Sequence, residues 1–381
     1  MEQEQRQYMK RALELAKKGM GYTAPNPMVG CVVVKEGQVI AEGYHERYGE
    51  FHAERNALQN CIKDPKGADL YVTLEPCCHY GKTPPCIELI LEKGIKRVFI
   101  GAMDPNPLVG GKGAALLREH GVLVETGLME EECLKLNEAF FHYITENRPF
   151  MVMKYAMTID GKIVAKTGDA RWVTGEQARN QVQLLRKQYS GILVGIETVL
   201  ADNPMLNVRI EDGVDPLRII LDSHLRIPLD SQIVSTAKKI PTMVVCKEKE
   251  IDIEKQNFLE KAGVQVLVQK GSGKVDLKEL CEELGRQKID SVLIEGGSRI
   301  HGAFLSAGLV DKIYVYLAPK FAGESPYEPV KGWFIEKMSD ACSLRLEKIE
   351  QIGEDVCITA YPQKESRSKE CLQELLKKQD G

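Results

Sequence analysis

Apolar residues recur at helical spacing from Tyr8 to Ala16, which predicts an amphipathic helix. The glycine- and proline-bearing run 19–30 breaks it and leads into a strand-like segment, Cys31–Gly37. A strand over Gln38–Gly43, a helix over His52–Cys61, a helix after Cys86 and strands at 69–74, 97–103 and 121–127 continue the alternation of a layered α/β domain. After a helix ending near Tyr143, the polar, proline-bearing stretch 145–150 precedes a new strand from Met151, so a domain boundary is expected near 147. Segments 191–195, 218–222, 242–246, 264–268, 291–297 and 312–319 are all expected to be buried strands of a second α/β domain, 148–362. The Lys- and Glu-rich end, 363–381, reads as a helical or partly disordered tail, and no internal repeat relates the halves.

The bulk numbers agree with two domains, because 381 residues exceed the roughly 250 to 300 at which one core stops growing. Hydrophobic residues at 43% and charged residues at 28% can build a core in each half. A net charge of −4 lacks the basic excess that a long phosphate backbone requires, which excludes a nucleic-acid partner and leaves a small anionic ligand. Eleven cysteines, an odd count in a long chain, fit metal binding or reduced thiols rather than a disulfide scaffold. The charged start has no secretory pattern and no apolar run approaches the roughly 18 residues of a membrane span, so cytoplasmic residence without a membrane partner is expected.

The chemistry-bearing pattern is His52-Ala53-Glu54, then Glu75-Pro76-Cys77-Cys78, then Pro85-Cys86. One imidazole and two thiolates hold zinc tetrahedrally and leave a fourth position for water, the arrangement of a catalytic site. Glu54, at a helix start beside the histidine, is placed to take a proton from that water and pass it to a ring nitrogen and a departing amine. This is the chemistry of zinc nucleobase deaminases. A closed structural site would need His79 or Cys78 as fourth ligand, and Cys78 follows Cys77 too directly for easy joint chelation. A non-catalytic zinc and nucleotide module has no use for Glu54.

In HAE and TLEPCCHYGKTPPC, with APNPMVG before and GAMDPNP after, the first half resembles the deaminase part of the bifunctional riboflavin-biosynthesis family. The interval between Cys77 and Cys86 is longer than the Cys-x-x-Cys of deaminases acting on nucleic acids, which opposes a tRNA or nucleoside deaminase fused to an unrelated reductase. The resemblance implies a cytidine-deaminase-like three-layer α/β/α fold. It implies substrate contacts at Asn26, His45, His79, Lys82, Asp104 and Asn106, with Lys82 on the ribose phosphate. The implied substrate is 2,5-diamino-6-ribosylamino-4(3H)-pyrimidinone 5′-phosphate, which loses its 2-amino group.

In the second half, Ile294-Glu295-Gly296-Gly297-Ser298 closes a strand and opens a helix, where backbone amides suit a pyrophosphate; such glycine pairs are also plain turns. Met153–Ala156, Thr158–Gly161, Arg171-Trp172 and Thr198–Pro204 resemble the reductase part of the same family, a fold similar to dihydrofolate reductase. That resemblance implies NADPH contacts at Ala156, Trp172, Thr198, Asp202, Ser223, Gly297, Ser298, Arg299, Ile300, His301, Gly302 and Ala303. Ser223, with Arg226 nearby, would meet the 2′-phosphate. Substrate contacts carry over to Arg186, Leu206, Arg209 and Glu295, the two arginines offering forked donors to a phosphate. Ala170 and Met157 depart from the family at the rim, Ala170 replacing a polar substrate contact. Lys154 is expected to polarise the sugar oxygen during hydride delivery to C1′, its alternative being a lysine reaching out at a sheet edge. The family also implies a homo-oligomer.

Overall fold

The computed structural model describes residues 2–81, 83–106, 109–169 and 171–363. The first half runs α1 (Glu2–Ala16), β1 (Gly30–Lys35), β2 (Gln38–Tyr44), α2 (Ala53–Gln59), β3 (Asp69–Leu74), α3 (Cys86–Glu92), β4 (Arg97–Ala102), α4 (Lys112–Glu119), β5 (Leu123–Thr126) and α5 (Glu130–Leu136). Its five strands lie in the order β2-β1-β3-β4-β5, with β1 antiparallel to both neighbours and β3, β4 and β5 parallel. Helices α1 and α5 pack together on one side, while α2, α3 and α4 form the other layer. Gly43 lets α2 sit close, since a Cβ there would stand 2.4 Å from Ala57 N and 2.6 Å from Ala53 O. That close approach sets the start of α2, where His52 and Glu54 lie.

Helix α6 (Glu138–Glu146) passes between the halves, and Asn147 ends it at φ +53°. The second half runs β6 (Phe150–Thr158), α7 (Glu176–Gln188), β7 (Gly191–Gly195), α8 (Ile196–Asp202), β8 (Leu217–Leu221), α9 (Gln232–Ser235) and β9 (Thr242–Lys247). It continues with α10 (Ile253–Lys261), β10 (Gln265–Gln269), α11 (Leu277–Arg286), β11 (Ser291–Gly296), α12 (Ser298–Ser306), β12 (Lys312–Ala318), β13 (Leu344–Ile352) and β14 (Asp355–Pro362). The nine strands lie in the order β10-β9-β8-β7-β11-β6-β12-β14-β13. All are parallel up to β12, and the antiparallel pair β14 and β13 extends that side. Apolar residues are buried on both faces of the parallel part, as expected where helices cover both.

The pattern of apolar residues placed most strands within a residue or two, with three differences. The first helix begins at Glu2 rather than Tyr8. Strand β10 is an edge strand, half-buried over Val266–Val268, not the buried strand its apolar run implied. The hairpin β13–β14 was not anticipated: β13 has one neighbour and leaves Leu346 and Ile349 exposed, so its sequence lacks a core signature. The expected tail, after Gln363, lies outside the described residues. Among the described residues no helix is long and apolar enough to cross a membrane.

Candidate active sites

A cavity of about 250 Å³ opens beyond the carboxyl ends of β3 and β4. His52 precedes α2 in extended conformation, Cys77 lies on the loop leaving β3, and Cys86 opens α3. His52 Nδ1 is 3.4 Å from Cys77 Sγ and 3.5 Å from Cys86 Sγ, and the three donor atoms all lie within 4.8 Å of one another. Cys86 N donates to Cys77 Sγ at 3.3 Å. Hydrogen bonding from Cys86, with His52 beside it, holds the Cys77 thiol well below its ordinary range despite burial. One nitrogen and two sulfurs at this spacing fit zinc, with room on the cavity side for a further ligand.

Glu54 lines the same cavity and is 3% exposed; burial pushes its carboxyl up to about 7. A carboxyl that titrates near neutrality is matched to taking a proton and giving it back. His45 is buried, and its Nδ1 lies 3.0 Å from Phe51 O. A carbonyl accepts only, so Nδ1 carries the hydrogen and Nε2 accepts from Asn26 Nδ2 at 3.2 Å. Burial lowers the His45 pKa and favours this neutral tautomer. His79 offers a buried Nδ1 that has no hydrogen-bond partner. Asp104 is pushed up to about 6 by burial, and its Oδ1 accepts from Asn106 N at 2.9 Å. Asn26, His79, Asp104 and Asn106 all line the cavity, whereas Lys82 lies outside the described residues.

Two contributors escaped the sequence reading. Glu75, beside the zinc-motif proline, accepts from Gly111 N at 2.9 Å and Ala114 N at 3.0 Å, so it caps α4 and ties that helix to the metal loop. Phe140, on α6, lines the cavity from outside the first sheet. Both act across long sequence separations, and no local motif announces such contacts.

Several residues expected to hold cofactor or substrate lie at or just beyond the carboxyl ends of the second sheet's strands, where open parallel sheets bind ligands. Lys154 and Ala156 lie on β6, Thr198 and Asp202 on α8, Ser223 just after β8, and Glu295 at the end of β11. Strand β6 runs between β11 and β12, so Lys154 does not reach out at a sheet edge; its ammonium stands 5.6 Å from the Tyr316 ring centroid and burial lowers its pKa. Gly297 caps α12, and a Cβ on it would lie 3.6 Å from Thr198 Oγ1, which places the start of this helix beside α8. The start of α12, which no side chain caps, fits a dinucleotide phosphate. Ser298, Arg299, Ile300, His301, Gly302 and Ala303 form the first turns of α12, where buried His301 donates from Nδ1 to Pro329 O at 2.9 Å. Ser223 Oγ accepts from Val275 N at 3.1 Å, and Arg226 pairs with Glu197. Trp172 is exposed, with the Arg179 guanidinium 4.6 Å from its ring centroid.

Two substrate expectations change. Arg186 is not an open fork: its Nε and Nη2 grip Glu295 at 2.8 and 2.7 Å, and Nη1 donates to Asn207 O at 3.1 Å. Burial alone would raise the Glu295 carboxyl, but Arg186 holds it down at about 2. Leu206 is 4% exposed and packs in the core, so its side chain is closed to ligand. Arg209 is exposed near this pair, and Ala170 lies outside the described residues. In the Thr158–Gly161 motif, Asp160 accepts from Thr158 Oγ1, Ala322 N and Gly323 N, which pins the loop after β12.

A model of the RibD C-terminal domain matches residues 149–358, and a model of the cytidine and deoxycytidylate deaminase zinc-binding region matches residues 2–102. The riboflavin biosynthesis protein RibD of Actinobacillus pleuropneumoniae is 52% identical over 353 residues, 92% of this chain and 93% of its own. Its counterpart in Aquifex aeolicus is 45% identical over 352 residues, 92% and 96% of the two chains. The crystal structure of a diaminohydroxyphosphoribosylaminopyrimidine deaminase/5-amino-6-(5-phosphoribosylamino)uracil reductase from Thermotoga maritima matches with a TM-score of 0.84 at 38% identity, covering 95% of this chain and 99% of that one. RibD of Acinetobacter baumannii matches with a TM-score of 0.85 at 37% identity, covering 96% and 100%.

Proposed function

The chain belongs to the RibD family of bifunctional riboflavin-biosynthesis enzymes, a zinc deaminase and an NADPH-dependent reductase in one polypeptide, and from that premise we propose how its residues divide the two reactions. The division falls near residue 147. The first half takes 2,5-diamino-6-ribosylamino-4(3H)-pyrimidinone 5′-phosphate and releases its 2-amino group as ammonia. His52, Cys77 and Cys86 would hold the zinc, which would supply an acidified water for the attack at neutral pH. Glu54 relays the two protons of the attacking water in turn, the first to the ring nitrogen and the second to the amine that leaves as ammonia. Neutral His45 holds the Asn26 carboxamide in place, and Asn26, His79, Asp104 and Asn106 orient the ring, with Lys82 on the phosphate.

In the second half bound NADPH would supply the hydride that turns the ribosyl group into ribityl. Lys154 polarises the sugar oxygen, Glu295 is kept ionised by Arg186, and exposed Arg209 meets the phosphate. The α12 turn, Thr198, Asp202, Ala156, Trp172 and Ser223 hold the cofactor. The acidic balance supports a small-molecule substrate in the cytoplasm, with no nucleic-acid or membrane partner. The exposed apolar residues of edge strand β13 support self-association.

The observation that carries the reading is a buried carboxyl, Glu54, in one cavity with a three-donor cluster. Incubation with the diaminopyrimidine phosphate should release ammonia without NADPH and add a hydrogen pair to the product with it. Absence of ammonia from zinc-loaded protein would remove the deaminase assignment.

A further inference from the structure

Asn137 and Glu138 are neighbours in sequence that hold opposite halves of the molecule. Asn137 is 3% exposed, and its carboxamide closes on the backbone N–H and C=O of a single residue 109 positions away. Its Oδ1 accepts from Met28 N at 2.8 Å, and its Nδ2 donates to Met28 O at 2.9 Å. This clamp fixes the loop 24–29, which carries Asn26 to His45 and the deaminase cavity. Glu138 turns the other way: its Oε2 accepts from Tyr361 OH at 2.6 Å and its Oε1 from Lys312 Nζ, on β14 and β12. Phe140, on the first turn of the same helix, forms part of the cavity wall. A second cavity of about 40 Å³ lies along this seam, bounded in part by Asn26, Asn137, Glu138, Phe140 and Tyr189.

We infer that Asn137 and Glu138 are positioning residues for deamination, forming a strut that anchors the deaminase substrate loop in the reductase sheet. The Glu138–Lys312 pair is largely buried, and a buried pair resists separation because each charge would be left unpaired. It therefore fixes the start of α6. Asn137 transmits that position to the backbone of Met28 and so to Asn26, while Phe140 is carried along on the cavity side. The strut touches neither Glu54 nor the zinc donors, so it acts on substrate binding rather than on proton transfer. The inference rests on the assignment of Asn26 to the substrate.

Steady-state ammonia release by the full-length zinc enzyme, with kcat and KM measured separately, tests the strut. Asn137→Ala, Glu138→Gln and Tyr361→Phe are compared with wild type, with Asn26→Ala as the reference. Glu138→Gln keeps the side-chain volume and one acceptor, and Tyr361→Phe removes a single hydroxyl. Should Asn137→Ala not fold, these two carry the test. Asn137→Ala and Glu138→Gln are expected to raise KM roughly three- to tenfold, and Tyr361→Phe less, with kcat and zinc content within a factor of about two of wild type. A raised KM in Asn26→Ala with an unchanged KM in Glu138→Gln and Tyr361→Phe would overturn the strut alone. An unchanged KM in Asn26→Ala would overturn the substrate assignment beneath it. A fall in kcat at constant KM would contradict a role in binding.

Discussion

Cys86 contributes both a sulfur to the donor cluster and an N–H to Cys77 Sγ, so it supports the metal twice. Cys86→Ala removes the first contribution and should lower zinc content sharply; undiminished zinc on metal analysis would reject the donor set. Ser223 has its oxygen engaged by Val275 N, which leaves the hydroxyl proton to donate to a 2′-phosphate. A hydrogen bond to a charged group is worth about 1.5 to 3 kcal/mol, so Ser223→Ala should raise the NADPH KM roughly tenfold or more and change NADH use little. Equal losses with both cofactors would mean that the contact with Val275 matters and the phosphate does not. Glu295 belongs to a further class, a buried acid whose pKa Arg186 holds down at about 2. A carboxylate with a depressed folded pKa stabilises the fold above its unfolded value and loses that stability as pH falls through its folded value. Unfolding measured from pH 5 toward about 2 should therefore show an acid-dependent loss that Glu295→Gln reduces, and identical pH profiles would contradict it.

At the scale of elements, the close approach of α2 to β2 decides where His52 and Glu54 stand. Gly43→Ala would place a methyl 2.4 Å from Ala57 N, and overpacking of this kind costs about 1 to 3 kcal/mol. Denaturation should show that loss together with weakened zinc binding; unchanged stability and zinc would mean that α2 has freedom to shift. Most elements were legible because buried parallel strands carry continuous apolar runs and the metal residues sit in short motifs. The hairpin β13–β14 was not, because β13 points Leu346 and Ile349 outward and has one strand neighbour. Strand β10 was misread for the converse reason, an apolar run spent on a half-exposed edge. The pairing of Arg186 with Glu295 was not legible because the two lie on different elements and spacing cannot pair them. The roles of Glu75 and Asn137 were hidden in the same way, since each holds backbone atoms that only the fold brings near.

At the scale of the molecule, the candidate groups for the two reactions lie on separate sheets, with α6 bonded to the second sheet through Glu138. Each set is expected to perform its own step. Glu54→Gln separates the two, because the carboxamide keeps the shape and cannot take a proton. The purified variant is assayed for zinc, for ammonia release from the diaminopyrimidine phosphate, and for NADPH oxidation with the already deaminated substrate. Retained zinc, lost ammonia release and undiminished NADPH oxidation are the expected outcome. Near-normal ammonia release, or loss of both activities in the folded variant, would contradict it.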